Sequence, residues 1–264
     1  MKETSHEPAY AEAVDAVFEG AALGPRDVLT LSDEEIVAIE GADAPRVAPL
    51  LSLIDQTPQR MALAPQKGAR SLAERGLARV DPEASVEGVD ATVRTILRMR
   101  RSWTSLLLVD QVTAVSRTFT AAYLRADGRT LIEDVKQDGS HRFLVMKTAA
   151  AYDNLVQMLT PFPGASDEQG WPIAYTTTEW EHQAATAFAD AKVVAVVVGL
   201  RNHLREGDED VDERRLSVYA FEDRTEVALP DGDGRLATAP TSRRQLRRHL
   251  LRLTVADHER PRHP

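Results

Sequence analysis

The sequence predicts an α+β protein: two pseudo-duplicated units of antiparallel strands, each followed by a helix, packed as one body with N-terminal helices. Three observations predict it. Runs of β-branched and aromatic residues separated by Asp-Gly turns give two strand-rich stretches, at about 104–160 and 193–255. Each closes on an amphipathic helix that follows a hydroxyl cap, Thr148 in one and Ser242 in the other. The stretches also align residue by residue: Tyr123 falls on Tyr219, Asp127-Gly128-Arg129-Thr130 on Glu222-Asp223-Arg224-Thr225, and Asp138-Gly139 on Asp233-Gly234.

Taken in chain order, the polar and acidic start predicts a flexible segment over 1–28, and 29–255 reads as a single domain. Ser32 and Glu35 form a capping box for a short helix that Gly41 ends, with Leu31 placed to staple onto Ile36. After the apolar run 47–54, a second helix is expected to begin near Pro65, a favoured first-turn residue, and to end at Gly76 with Leu77 folded back onto Leu72. A third helix spans 89–99. Strands follow at 104–109, 117–124, 131–135 and 141–146, joined by turns at Asp127-Gly128 and Asp138-Gly139. Tyr152, Leu155, Val156 and Leu159 share one face of the next helix, which Pro161 and Pro163 stop. The second copy then reads as a helix over 179–191, strands at 193–198, 216–221, 225–229 and 234–238, and a last helix from Ser242. Residues 256–264 read as a disordered tail. Leu72, Leu107, Val109, Val156, Val194, Val196, Leu250 and Leu253 are the expected core.

Composition excludes several classes of function. The chain has 264 residues, enough to bury a substantial core without staples, and no Cys, so thiolate chemistry and cysteine zinc sites are out. With 32 basic and 41 acidic residues the net charge is −9, unfavourable for gripping phosphate backbones. The longest apolar run, 193–198, is far too short to span a bilayer, and the N-terminus carries no apolar signal segment; the reading is a cytoplasmic protein without membrane insertion. Neither a phosphate-binding Gly loop nor a paired-His zinc motif is present. The acidic run 206–213 places Asp208, Asp210 and Asp212 at the first calcium-loop positions, but Glu213 stands where a Gly is needed and Tyr219 where a bidentate Glu is needed. No catalytic, cofactor-binding or metal-binding set emerges, and no enzyme activity is expected. His141 reads only as a residue after a turn. The Arg-rich end, Arg243, Arg244, Arg247, Arg248 and Arg252 with Arg260 and Arg262, reads as the polar face of an amphipathic helix and its tail, the alternative being a site for an anionic partner or nucleic acid.

The order of these elements resembles the EspG family of ESX, or type VII, secretion-associated proteins of actinobacteria. The resemblance is carried by Leu106 to Val109, by the helix end Leu155-Val156-Gln157-Met158-Leu159-Thr160-Pro161, and by the closing stretch Asp233 to Ser242 with Leu246, Leu250 and Leu253 behind it. It extends over about 28–255. It implies a cytosolic chaperone without a cofactor that binds a secreted helical protein substrate such as a PE–PPE heterodimer. A chaperone needs an exposed surface of mixed apolar and hydrogen-bonding character, and hairpin edges are a usual place for one. The hairpin 123–141 is the candidate, with Arg125, Asp127, Arg129, Leu131, Ile132, Val135 and Gln137 as its partner-binding residues. The alternative is a winged-helix DNA-binding regulator over 58–90, reading through Gln66, Lys67, Arg70 and Arg75.

Overall fold

The computed structural model describes residues 7–21, 24–81, 85–162, 173–176, 179, 186, 188–201, 212–230 and 235–255. In chain order its elements are α1 (Glu7–Phe18), β1 (Arg26–Ser32), α2 (Asp33–Glu40), α3 (Pro58–Glu74), β2 (Arg79–Val80), β3 (Val86–Glu87), α4 (Ala91–Met99), β4 (Ser105–Thr113), β5 (Arg117–Leu124), β6 (Arg129–Lys136), β7 (Ser140–Lys147), α5 (Thr148–Leu159), β8 (Ile173–Tyr175), β9 (Val193–Arg201), β10 (Asp212–Ala220), β11 (Thr225–Pro230), β12 (Leu236–Pro240) and α6 (Arg243–Thr254). This is the expected α+β class. Four strands and then a helix occur twice, β4 to β7 with α5 and β9 to β12 with α6. The chain folds into two compact units, Met1–Trp103 with Thr118–Thr148, and Thr104–Arg117 with Ala149–Pro264.

In the first unit the strand order is β1-β7-β6-β5, all antiparallel. The turns β5–β6 and β6–β7 are tight because Gly128 and Gly139 both take φ of +77°, a conformation only Gly adopts at no steric cost. Ser32 caps α2 through the full capping box with Glu35. The Leu72–Leu77 closure of α3 is present, Leu77 N–H donating to Leu72 C=O at 2.8 Å and Gly76 N–H to Ala73 C=O at 3.0 Å.

Three expectations for this unit change. Residues 7–18, placed in a flexible segment, form α1 and bury Val14 and Val17; 26–28 open β1. The helix expected from Pro65 begins seven residues earlier, where Thr57 caps it and Pro58 takes the favoured first-turn position. Pro65 is then internal, and its missing N–H costs one helical bond. Thr148 is itself the first residue of α5, with its hydroxyl 2.9 Å from that of Thr130.

In the second unit the order is β4-β9-β10-β11-β12-β8, again antiparallel. Ser242 caps α6 with a second capping box to Gln245. Tyr152, Leu155, Val156 and Leu159 of α5, and Leu246, Leu250 and Leu253 of α6, are buried. Along β9, Val193, Ala195 and Val197 are buried whereas Val194 is half-buried and Val196 is exposed, which corrects the expected core. The cause is the period of two: α6 packs on β9, and alternate residues on the opposite face remain accessible. Of the predicted helix over 179–191, residues 180–185 and 187 lie outside the described residues, and its expected end, 188–191, is a turn leading into β9; the acidic run 206–211 and Asp233-Gly234 also lie outside the described residues.

Candidate functional site

The hairpin candidates separate by burial. Leu131, Ile132 and Val135 are fully buried, so they offer a partner no surface. β6 is central between β5 and β7 and is covered on both faces, which removes the choice of an exposed side. The tips are accessible but engaged. Arg125 pairs with Asp127 at 3.2 Å and reaches the hydroxyl of Ser102, while Arg129 pairs with Asp15 of α1 at 2.6 Å and lies over the ring of Phe18. Gln137 and Asp127 remain exposed.

The second unit presents a different surface. Asp110 stands opposite Val196 and Val112 opposite Val194 in the β4–β9 register, and Val196 faces Ser217 of β10. Residues directly opposite share a face, so Leu108, Val112, Val194, Val196 and Val198 form one apolar patch. Val112 keeps 46% and Val196 42% of its surface, and Val115, just past the end of β4, keeps 92%. At the β10 side of the patch, Phe188 stacks on Tyr219 with centroids 3.9 Å apart.

The most ordered chemistry lies inside the first unit. His141 of β7 is fully buried between two carboxylates, its Nε2 2.6 Å from Asp33 Oδ1 and its Nδ1 2.6 Å from Glu133 Oε1. Ionised carboxylates only accept, so this arrangement favours the imidazolium, whose ring nitrogens both donate. Burial opposes that charge, but the hydrogen bonds to Asp33 and Glu133 outweigh it and raise the pKa of His141. Burial works against Glu133 too; Arg100 first, then His141 and Tyr123, overcome it and hold the carboxyl below its ordinary value. Glu133 Oε2 accepts from Arg100 Nε at 2.9 Å and from the Tyr123 hydroxyl at 2.7 Å. Asp33 Oδ2 accepts from both the N–H and the hydroxyl of Ser52, each at 2.7 Å. The network therefore ties α2, the loop after it and the end of α4 to the sheet. Its signal in the sequence is Glu133, a carboxylate between Leu131 and Val135 on an inward strand face. Asp33 shows there only as an acid at a helix N-terminus.

The region 58–90 does hold a helix followed by a two-stranded hairpin. Of its four candidate DNA readers, Lys67 pairs with Glu34 at 3.1 Å, and Arg75 with Glu35 at 2.7 Å and the C=O of Thr30 at 2.8 Å. Half of the readers are thus committed to carboxylates of α2. In the Arg-rich helix, Arg243 donates to the C=O of Thr160 at 2.8 Å and Arg247 pairs with Asp153 at 2.7 Å, both structural contacts to α5 and its end. No described helix is long and apolar enough to cross a membrane, and no cluster of three metal-ligating side chains occurs among the described residues.

The fold defined by these elements is similar to that of a solved chaperone. The structure of the Mycobacterium tuberculosis type VII secretion system chaperone EspG5 in complex with the PE25–PPE41 dimer is similar at a TM-score of 0.56 and 11% identity, over 89% of this chain and 98% of that one. No protein-family model and no curated protein matches the sequence. At this identity the likeness establishes a shared fold, in agreement with the EspG resemblance read from the sequence.

Proposed function

We propose that this chain is a binding protein that chaperones a secreted helical substrate of the PE–PPE type for a type VII secretion system. The observation that carries the reading is the extent of the fold likeness, nearly all of a chaperone chain whose structure holds such a dimer. The patch of Leu108, Val112, Val194, Val196 and Val198 supports it, since exposed contiguous apolar surface marks sites of protein association. An amphipathic helix end laid on this face would bury the valines, with Ser217 and the Asp110–Arg117 ion pair beside them to meet its polar edge. Arg125, Asp127, Arg129 and Gln137 of the hairpin tips are proposed as polar contacts of their own, without the buried Leu131, Ile132 and Val135.

Co-expression with a PE–PPE pair tests the reading. The expected result is a soluble complex on size exclusion that Val196→Asp and Val112→Asp abolish while the circular dichroism of the free chain is unchanged. A pair that stays insoluble with and without this chain overturns it, as does salt-sensitive retention of a specific DNA duplex by the chain alone, which the winged-helix alternative requires.

A further inference from the structure

A cavity of about 220 Å³ opens in the first unit beside the buried network, lined by Glu40, Arg46, Arg100, Arg101, Trp103 and Tyr123. Three guanidiniums converge on one carboxylate there. Glu40 Oε2 lies 3.0 Å from Arg100 Nη1 and 3.6 Å from Arg46 Nε, and Glu40 Oε1 lies 3.0 Å from Arg101 Nη2. The next carboxylate, Glu133, is already shared among Arg100, Tyr123 and His141, and Asp33 is held by His141 and Ser52. Among the described residues the three guanidiniums of Arg46, Arg100 and Arg101 pair with two carboxylates, Glu40 and Glu133, so positive charge is in surplus.

Two donors of this cluster are also orphaned. Arg46 spends its terminal nitrogens on the C=O groups of Gly41 and Ala42, and its Nε, too far from Glu40 for a hydrogen bond, has no hydrogen-bond partner among the described residues. Arg100 spends Nε and Nη1 on Glu133 and Glu40, and its Nη2 has none. Both side chains are buried, with 9% and 5% of their surface left. Burial, and the neighbouring guanidiniums of Arg100 and Arg101 against the pull of Glu40, lower the pKa of Arg46. Buried donors in folded proteins are nearly always paired, and a charged one left unpaired is the costliest kind.

We propose that this cavity is a binding site for a small oxyanion of the phosphate or sulfate class, held by Arg46, Arg100 and Arg101. An oxyanion offers several acceptor oxygens and a negative charge, which is what two orphaned N–H groups on different side chains and a surplus of positive charge require. The volume is below the roughly 300–1,000 Å³ of sites for drug-sized ligands, which fits an inorganic ion. Pro45, Val47 and Trp103 supply apolar wall, where less water screens the charges. Arg101, the most exposed of the three arginines, stands at the outer side of the cluster, and Glu40 keeps the guanidiniums in place against their mutual repulsion.

Isothermal titration calorimetry of the full chain with sodium phosphate, at ionic strength held constant by sodium chloride, tests the site. The expected result is saturable binding at one ion per chain, competed by sulfate, with a rise in thermal midpoint that chloride alone does not give. Arg46→Gln and Arg101→Gln should each weaken binding by roughly tenfold or more, the loss of one charge-assisted hydrogen bond, and Arg46→Lys should recover part of it. Arg101 is exposed enough that its variant keeps the fold even if Arg46→Gln does not. Absence of saturable heat from the folded chain, an equal response to chloride, or undiminished affinity in Arg101→Gln would each overturn the proposal.

Discussion

Two buried carboxylates favour the imidazolium form of His141, in which both ring nitrogens donate, and this has a consequence for stability. Its folded pKa lies above the ordinary 6.5, so its stabilisation is complete below about pH 6.5, declines as the pH rises past that value, and is gone above the folded pKa. Glu133, whose pKa lies below the ordinary 4.5, acts in the other direction: its contribution is present above 4.5 and is lost as the pH falls through its folded value. Urea unfolding from pH 5.5 to 9 should therefore show a stability that falls above pH 6.5. In His141→Leu the fall should vanish, and the variant should be less stable at pH 6 by about 3–5 kcal/mol, the cost of leaving buried carboxylates without their cation. A parent chain whose stability is flat above pH 6.5 would exclude the imidazolium. Little of this is legible in the sequence, because Asp33 and His141 are 108 positions apart and meet only when β1 pairs with β7. A buried polar network is specified by tertiary register, whereas the capping box that also involves Glu35 is specified within four residues and is legible.

Helices α2 and α3 pack so closely that one position decides their contact. A Cβ placed on Gly68 would stand 1.9 Å from the C=O oxygen of Glu34, a backbone atom that cannot swing away. Intrinsic propensity favours Ala over Gly inside a helix by about 0.8–1 kcal/mol, so an isolated α3 would gain from Gly68→Ala. In the folded chain, forcing the helices apart should reverse the sign and destabilise by about 1–3 kcal/mol, as overpacking does elsewhere. Denaturant midpoints would show this against Gln66→Ala, an exposed neighbour expected to change stability by less than about 0.5 kcal/mol. Equal midpoints for the two variants would mean that the helix pair is loosely packed. At this scale the sequence is readable where a local signal marks an end, as at Ser32, Gly76 and Ser242, and misleading where one residue type serves two positions. Pro65 and Pro58 both qualify as first-turn prolines; Thr57, whose hydroxyl accepts from the N–H of Arg60, gives Pro58 the position.

The path of the chain through its two compact units is interleaved. Residues 104–117, which carry β4, belong with 149–264, although 118–148 lies between them in sequence. The order of strands and helices is legible because turns and caps are local signals. The allegiance of β4 is not, since it rests on the register from Ser105 opposite Arg201 to Thr113 opposite Val193, a pairing across about ninety residues that no periodicity announces. Neither unit can therefore be obtained by a single cut. A fragment of residues 149–264 would leave β9 with one side unpaired along its whole length, and an exposed strand edge of alternating valines is a template for intermolecular pairing. We expect that fragment to be insoluble or to elute as large oligomers. Fusing residues 104–117 to its N-terminus through a Gly/Ser linker should restore a monodisperse species, because the linker lets β4 take its nine-residue antiparallel register on β9. The same fusion with Leu107 and Val109, both buried in the full chain, changed to Asp should fail, because the strand would then bring charge into the face that packs inward. If the unfused fragment 149–264 were soluble and monodisperse, β4 would contribute nothing essential to the second unit.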